Sequence, residues 1–334
     1  MSISKGKLRI VFMGTPAFAV HILDGLVQKE YNIVGVVTAP DRPAGRGQKI
    51  KQSAVKVYAN KHQLKVFQPE NLKDREFLQQ LQNIEADVQV VVAFRMLPKV
   101  VWQMPKKGTF NLHASLLPQY RGAAPINWAI INGEKETGVS TFFIDEKIDT
   151  GALIFQSKIS ISAADNAGTL HDKLMIEGLL LTLRTLNAIG DNQFETTQQK
   201  AVSKLKTAHK LNKENCKIDW SKSGCQIINH VRGLNPYPSA WTLLQNGNDL
   251  INLKLYDKAT QHGLNRGDMQ VKFDEFNIID MVKTASSCPI CWKGLHCEEH
   301  DMRRRSNVLP TMRAEQKTKL AIVRERRLKN ESMN

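Results

Sequence analysis

Apolar and polar positions in the first 190 residues follow two periods, which predict strands and helices in alternation. Continuous apolar and β-branched runs predict buried strands, and apolar residues three or four apart predict amphipathic helices. The predicted strands are 8–13, 33–38, 65–67, 86–94, 110–113, 138–144 and 152–159. The predicted helices are 17–29, 53–61, 74–82, 124–131 and 169–189. This order predicts an α/β fold with a parallel or mixed sheet wound on both faces, and it favours chemistry at the carboxyl ends of the strands.

The pattern changes after residue 190. Residues 191–210 are polar and mostly lack apolar periodicity, which is typical of a linker. Beyond them a helix at 223–231 and a strand at 250–256 are predicted. A chain of 334 residues is above the size at which a single core usually divides. We therefore expect a catalytic domain at 1–190, a linker at 191–210, a second domain at 211–300 and a basic tail at 301–334.

The formal net charge of +15 indicates a polyanionic partner, most often a nucleic acid. The tail contributes strongly, because residues 302–334 carry ten Lys or Arg residues against three Glu residues. The five cysteines do not form the framework of a small secreted domain, and no run of about 18 apolar residues occurs. We therefore expect a cytoplasmic protein with reduced thiols and no membrane span.

The stretch GTFNLHASLLPQYRGAAP contains the strongest candidate chemistry. Alternation along 110–113 predicts that Asn111 and His113 share one face of a strand. An amide and an imidazole can stabilise the oxyanion of an acyl transfer, although such residues at a strand end also cap loops. Asp145 and Asp149 follow in a loop between two predicted strands, where a carboxylate could orient the imidazole. Asp149, just before Thr150-Gly151, is the better placed of the two.

Several separated motifs together resemble the folate-dependent formyltransferases. In order, they are Asn111-x-His113, Ser115-Leu-Leu-Pro118, Tyr120-Arg-Gly-Ala-Ala-Pro125, Gly138-Val and Asp149-Thr-Gly151. VFMGTPAFA near residue 11 and the basic loop 38–56 are similar to the members that act on initiator methionyl-tRNA. NHVRGLNPYPSAW at 229–241 is similar to the start of their second domain. The resemblance covers about residues 8–256 and then fades.

The resemblance implies a Rossmann-like catalytic domain followed by a smaller, OB-like β-barrel domain. In this chain the sequence is atypical of that barrel after about residue 260, and it leaves open whether the barrel is complete or incomplete. It also implies transfer of the formyl group of 10-formyltetrahydrofolate to the α-amine of initiator methionyl-tRNA, giving formylmethionyl-tRNA for translation initiation. Asn111 and protonated His113 would stabilise charge on the formyl oxygen, and Asp149 would orient His113 and help to remove the amine proton. We expect a monomer that needs no metal.

The same resemblance implies two binding surfaces. The folate would lie against two segments that contain Phe94, Met96, Leu97, Ser115, Leu116, Leu117 and Pro118. The acceptor arm of the tRNA would meet the basic side chains of loop 38–56, which are Arg42, Arg46, Lys49 and Lys51. Cationic side chains on a loop suit phosphate contacts that carry no sequence information.

Three alternatives remain in view. A nicotinamide enzyme is disfavoured because only Gly14 stands where a dinucleotide-binding turn needs three glycines. A formyltransferase acting on a small amine, such as an amino sugar or a purine-pathway amine, is disfavoured by the insertion at 38–56. The third alternative is a nucleic-acid-binding protein with an idle catalytic domain, whose working parts are the tail and a Cys/His cluster. The weak metal candidates of that cluster are Cys288, Cys291, His296 and His300, whose spacing is poor for zinc.

Overall fold

The structure is a computed structural model that describes residues 8–44, 49–200, 202–246, 249–257 and 269–273. The predicted tail at 301–334 lies outside the described residues, and so does Arg46. The candidate metal ligands Cys288, Cys291, His296 and His300 also lie outside them.

Helices and strands alternate through the first 190 residues. The described helices are α1 (Ala17–Gln28), α2 (Ala54–Lys61), α3 (Arg75–Asn83), α4 (Lys99–Trp102), α5 (Pro125–Ile131), α6 (Ala167–Gly190) and α7 (Gly224–Leu234). The described strands are β1 (Ile10–Gly14), β2 (Ile33–Val37), β3 (Arg42–Ala44), β4 (Lys49–Lys51), β5 (Val66–Phe67), β6 (Val88–Val92), β7 (Thr109–His113), β8 (Arg121–Gly122), β9 (Glu136–Phe143), β10 (Leu153–Ser160), β11 (Thr207–Ala208), β12 (Ala240–Asn246), β13 (Asp249–Asp257) and β14 (Met269–Phe273).

The central sheet has seven strands in the order β10-β9-β7-β6-β1-β2-β5. The five neighbouring strands β7, β6, β1, β2 and β5 are parallel to one another. Strand β9 runs antiparallel to both β7 and β10. The predicted α/β fold with a parallel or mixed sheet is therefore confirmed. The chain order reverses beside β1, with β2 on one side and β6 on the other, and ligands of such sheets bind at the carboxyl ends near this point.

Helices cover both faces of the sheet, as a doubly wound fold requires. Helices α1, α2 and α6 pack on one face, around fully buried residues such as Phe12 and Phe110. Helices α3 and α4 pack on the other face with Val11, Met13 and Val91. Local signals start several helices: the side chain of Ser53 caps α2, and Asn166 and Thr169 form a capping box at α6.

The polar segment after α6 folds back over the first domain. Within it β11 pairs in parallel with β8, and the Tyr120 amide donates to the Lys206 carbonyl at 2.6 Å. Strand β11 could not be predicted from the sequence, because it has only two residues and an alternation of apolar and polar positions needs more.

The described part of the second domain consists of α7 and the antiparallel sheet β12-β13-β14, which share a small core around Leu234 and Leu255. The predicted β-barrel stays a prediction, since most residues after 257 lie outside the described part. Among the described residues, none of the helices combines the length and the apolar character that a membrane span needs.

Candidate active site

Strand β7 presents Asn111 and His113 on one face, at the carboxyl end of the sheet. Phe110 and Leu112, which alternate with them along the strand, enter the core beneath α1 and α6. The two polar side chains therefore project to the opposite face of the sheet. Asn111 pairs with Val91 of β6, and His113 pairs with Ser140 of β9. The alternation in the sequence thus leads directly to this juxtaposition.

The imidazole of His113 is buried and is fixed at one nitrogen. Its Nε2 lies 2.8 Å from the Tyr120 carbonyl oxygen, which can only accept a hydrogen bond. Nε2 therefore carries a proton, and Nδ1 is the nitrogen that faces Asp149. Nδ1 lies 3.9 Å from Asp149 Oδ2, which is too far for a direct hydrogen bond. The gap leaves Nδ1 available to a reacting group.

Asp149 is held by main-chain contacts in a left-handed conformation, with φ of 56°. Its Oδ2 accepts a hydrogen bond of 3.0 Å from the Gly122 amide. The other candidate carboxylate, Asp145, instead accepts hydrogen bonds from the Lys147 amide and the Thr150 hydroxyl within its own loop. Of the two aspartates, Asp149 is the one that the fold brings to His113.

The Asn111 amide is half-buried and makes no side-chain hydrogen bond to any residue in the described part of the chain. Its donors are therefore available to a ligand. An oxyanion donor must be held in place and partly shielded from water before the reaction, and an amide that is half-buried on a strand of the sheet meets both conditions. Asn111, His113 and Asp149 together could stabilise a developing oxyanion and accept a proton.

The turn after β7 is built around Ser140 of β9. The Ser140 hydroxyl donates to the Ser115 carbonyl at 2.6 Å and accepts from the Leu117 amide at 3.1 Å. Ser115 and Leu117 are buried, whereas Leu116 and Pro118 are partly exposed. Of the four predicted folate contacts in this turn, Leu116 and Pro118 therefore offer accessible side chains, and Ser115 and Leu117 stabilise the turn.

The loop after β6 supplies the other predicted folate contacts. Met96 is 66% exposed, Phe94 is half-buried, and Leu97 is buried in the core beneath α3 and α4. Arg95, which the sequence analysis missed, anchors the loop by donating to the main-chain carbonyls of Pro69 and Glu70. Burial, together with the nearby positive charge of Arg42, holds the pKa of Arg95 below its usual value. The base of the basic hairpin lies close to this loop, because Gln68 binds Asp41 and the next two residues of the chain bind Arg95.

Strands β3 and β4 form that hairpin, with Arg42 opposite Lys51. Arg42 and Lys51 are exposed, and Lys49 lies in β4. Asp41 fixes the base of the hairpin, since it accepts hydrogen bonds from Gln68 at 2.8 Å and Lys56 at 2.6 Å. These bonds, first that from Gln68 and then that from Lys56, lower the pKa of the Asp41 carboxyl. The hairpin is thus firmly attached at its base.

A polar network behind the site was also missed from the sequence. The buried Tyr120 hydroxyl donates to Glu134 and accepts from Asn132 at 3.1 Å, and Glu134 also binds Lys206. Burial raises the pKa of Tyr120, and the hydrogen bond to Glu134 raises it further. Since the Tyr120 carbonyl orients His113, this network fixes the turn that carries the carbonyl. The aromatic residue before Arg121-Gly122 was the available sequence signal.

Comparison with known proteins gives consistent matches. The family model described as formyl transferase matches residues 8–184, and that of the formyl transferase C-terminal domain matches residues 210–292. A methionyl-tRNA formyltransferase of Flavobacterium johnsoniae is 61% identical over 251 residues, which cover 75% of this chain and 80% of the relative.

Solved structures share the fold. The N-formyltransferase of Helicobacter canadensis, solved with folinic acid and dTDP-3-aminofucose, aligns with a TM-score of 0.54 at 23% identity, over 82% of this chain and 96% of its own. HypX of Aquifex aeolicus aligns with a TM-score of 0.55 at 16% identity, over 75% of this chain. This chain spans only 39% of the length of HypX.

The fold and the matched domains define the class: the chain belongs to the formyl transferase family. Within that family it groups with the methionyl-tRNA formyltransferases, since relatives of that name are 50–61% identical over most of its length. Its reaction is formyl transfer from formyltetrahydrofolate.

Proposed function

We propose that Asn111, His113 and Asp149 catalyse transfer of the formyl group of 10-formyltetrahydrofolate to the α-amine of initiator methionyl-tRNA. The observation that carries the assignment is that an amide with no side-chain hydrogen bond to a described residue, a fixed imidazole and a held carboxylate lie at the end of β7. Asn111 and His113 lie on β7 and Asp149 lies in the loop between β9 and β10, and no hydrogen bond between these three side chains uses up their polar atoms. This is the arrangement expected of a site that awaits a substrate.

In the proposed mechanism the amine attacks the formyl carbon, and negative charge develops on the formyl oxygen. The Asn111 amide and the protonated His113 donate to that oxygen. Because Nε2 is occupied by the Tyr120 carbonyl, the donor is Nδ1. No side chain of the enzyme needs to become acylated, because the amine itself is the nucleophile.

Asp149 has two functions in this mechanism. Its carboxylate lies beside the ring and orients it, and the same carboxylate accepts the proton that the amine loses, directly or through water. The gap of 3.9 Å between Oδ2 and Nδ1 leaves both groups able to reach the reacting atoms. The collapse of the tetrahedral intermediate breaks the bond from the formyl carbon to the folate nitrogen, which then takes up a proton.

The folate is proposed to lie between the loop after β6 and the turn after β7. Phe94, Met96 and Leu97 flank one side, and Leu116 and Pro118 flank the other, with Ser115 and Leu117 supporting the turn. These segments adjoin β6 and β7, next to the reversal of chain order in the sheet, where doubly wound folds bind their ligands. The related N-formyltransferase solved with folinic acid supports a reduced folate as the donor.

The tRNA is proposed to contact the basic hairpin. Arg42 and Lys51 offer exposed cations, and Lys49 and Arg46 add positive charge from the same insertion. The position of Arg42 and Lys51 close to the folate loop suits the acceptor end of a tRNA, whose phosphates need cations close to the reacting amine. We also propose that the protein acts as a monomer, in the cytoplasm.

The experiment that tests this function offers the purified full chain 10-formyltetrahydrofolate together with competing acceptors. Initiator methionyl-tRNA, elongator methionyl-tRNA, an amino sugar nucleotide and a purine-pathway amine are supplied at equal concentration. We expect formylation of the initiator methionyl-tRNA. If only a small amine became formylated, that amine and not the tRNA would be the substrate. If none of the four acceptors became formylated, the proposal would be refuted.

A further inference from the structure

Gln199 lies in the polar segment between the two domains, yet its side chain reaches the catalytic loops. Nε2 donates to the main-chain carbonyls of Asp149 and Gly151, each at 2.9 Å. Oε1 accepts from Nε and Nη2 of Arg121, at 3.1 and 2.6 Å. We propose that Gln199 is a positioning residue for Asp149. This inference rests on the function proposed above for Asp149.

The first step of the argument concerns the backbone of Asp149. A residue other than glycine adopts a left-handed conformation at an energetic cost, and it keeps that conformation only where its surroundings hold it. Gln199 supplies such a restraint, since one amide group holds the carbonyls on both sides of Thr150. Deleting the amide leaves these two carbonyls without that donor.

The second step concerns the carboxylate. Its Oδ2 accepts from the amide of Gly122, which directly follows the Arg121 that binds Gln199 Oε1. Gln199 therefore connects the main chain of Asp149 to the same short strand, β8, that holds its side chain. The hydrogen bonds that connect Gln199, β8 and the Asp149 loop thus fix the direction in which Asp149 faces His113. A displacement on the order of 1 Å at such a position can lower turnover about 100-fold.

The third step separates positioning from simple attachment of the segment. Strand pairing between β8 and β11 and the Lys206 contacts already attach the segment to the first domain. The two carbonyls bound by Gln199 belong instead to the loop of the catalytic carboxylate. A positioning role therefore predicts an effect on turnover that depends on Asp149.

The test compares Gln199→Ala and Gln199→Glu in the full chain, with Gln198→Ala as the matched control. Gln198 is the exposed neighbour and has no side-chain hydrogen bond to a described residue. Gln199→Glu keeps an acceptor for Arg121 but removes the donor to the two carbonyls. We expect both Gln199 variants to lower kcat about 10-fold or more, with an unchanged KM for the formyl donor. The control should melt near the parent temperature, and Gln199→Glu should stay folded, because its ion pair with Arg121 offsets part of the loss of the two hydrogen bonds.

The decisive measurement repeats Gln199→Ala in an Asp149→Asn background, with single-turnover rates. If Gln199 acts through Asp149, its removal there costs less than about 2-fold, because the group it positions is gone. An equal loss in both backgrounds, parental kcat in either Gln199 variant, or failure of both variants to fold would overturn the proposal. A fully active Asp149→Asn enzyme would instead refute the proposed function of Asp149 itself.

Discussion

His113 and Asp149 are positioned by neighbouring groups of one turn. The ring Nε2 lies 2.8 Å from the Tyr120 carbonyl, and Asp149 Oδ2 accepts the Gly122 amide at 3.0 Å. The two side chains approach each other only to 3.9 Å. The backbone of residues 120–122 therefore sets the spacing of the pair, and a substrate atom that lies beside both groups can bind Nδ1 and Oδ2 without breaking either of these two hydrogen bonds.

Replacing Asn111 by Ala removes an oxyanion donor and little else. We expect kcat to fall about 100-fold or more, which is the usual cost of losing one such donor. The melting temperature should stay close to that of the parent, because the Asn111 side chain has no hydrogen bond to a described residue. Steady-state formylation assays and circular dichroism melts measure the two effects. Asn60→Ala, at an exposed asparagine of α2, is the control, and near-parental turnover in Asn111→Ala would reject the assigned role.

Replacing His113 by Ala has two consequences. Turnover should fall at least 100-fold, since the cationic donor is lost. Stability should fall as well, by about 1 to 3 kcal/mol, because the Tyr120 carbonyl loses a buried partner. Denaturant unfolding and single-turnover assays separate the two effects. A stable variant that remains within a few-fold of the parent would remove His113 from the mechanism.

Replacing Arg42 by Ala should affect the tRNA and leave the folate unaffected. Loss of one phosphate contact weakens tRNA binding and lowers the slope of log affinity against log salt by about 1. Binding titrations at several salt concentrations measure the slope. Lys29→Ala is the matched control. The first turn of α1 follows the carboxyl end of β1, whereas Lys29 lies at the last turn of that helix and therefore away from the site. An unchanged slope in Arg42→Ala would count against phosphate contact at the hairpin.

Replacing Asp165 by Asn tests the loop before α6, which the second domain contacts through its main chain. Burial acts to raise the pKa of Asp165, but hydrogen bonds from Lys173, the Ser162 amide and Thr169 outweigh burial and hold it below its usual value. Arg232 of α7 binds the main-chain carbonyls of Ser162 and Asp165 in the same loop. At neutral pH we expect Asp165→Asn to lose about 1 to 2 kcal/mol of unfolding free energy.

The pH dependence of that difference follows from the sign of the shift. A carboxyl with a depressed pKa in the folded state stabilises the protein above its unfolded pKa of about 3.9, and this stabilisation is lost as the pH falls through the folded-state value. The unfolding free energies of the parent and Asp165→Asn, measured with urea, should therefore begin to converge below about pH 4 and become equal only below the folded-state pKa. Asp172→Asn, at an exposed residue of α6, should show little effect at any pH. A difference that is constant with pH would contradict the assignment.

Local periodicity predicted most of the first domain. The alternation at Phe110 and Leu112 already placed Asn111 and His113 on one face, and α/β alternation predicted the sheet. Gln199 could not be predicted in the same way, because its partners lie 48 and 50 positions earlier and the polar residues around it carry no period. The orientation of the His113 ring also depends on the Tyr120 carbonyl, a main-chain atom that residue identities do not reveal.

The pairing of β11 with β8 has a consequence for how the protein is made. Synthesis proceeds from the amino terminus, so His113 and Asp149 leave the ribosome well before Thr207 and Ala208. Until those residues emerge, the turn at Arg121-Gly122 lacks its neighbouring strand. We therefore expect the proposed site to become aligned only once the segment leading to the second domain has been translated, and a nascent chain that ends at Gly190 would carry His113 and Asp149 without the strand that pairs with β8.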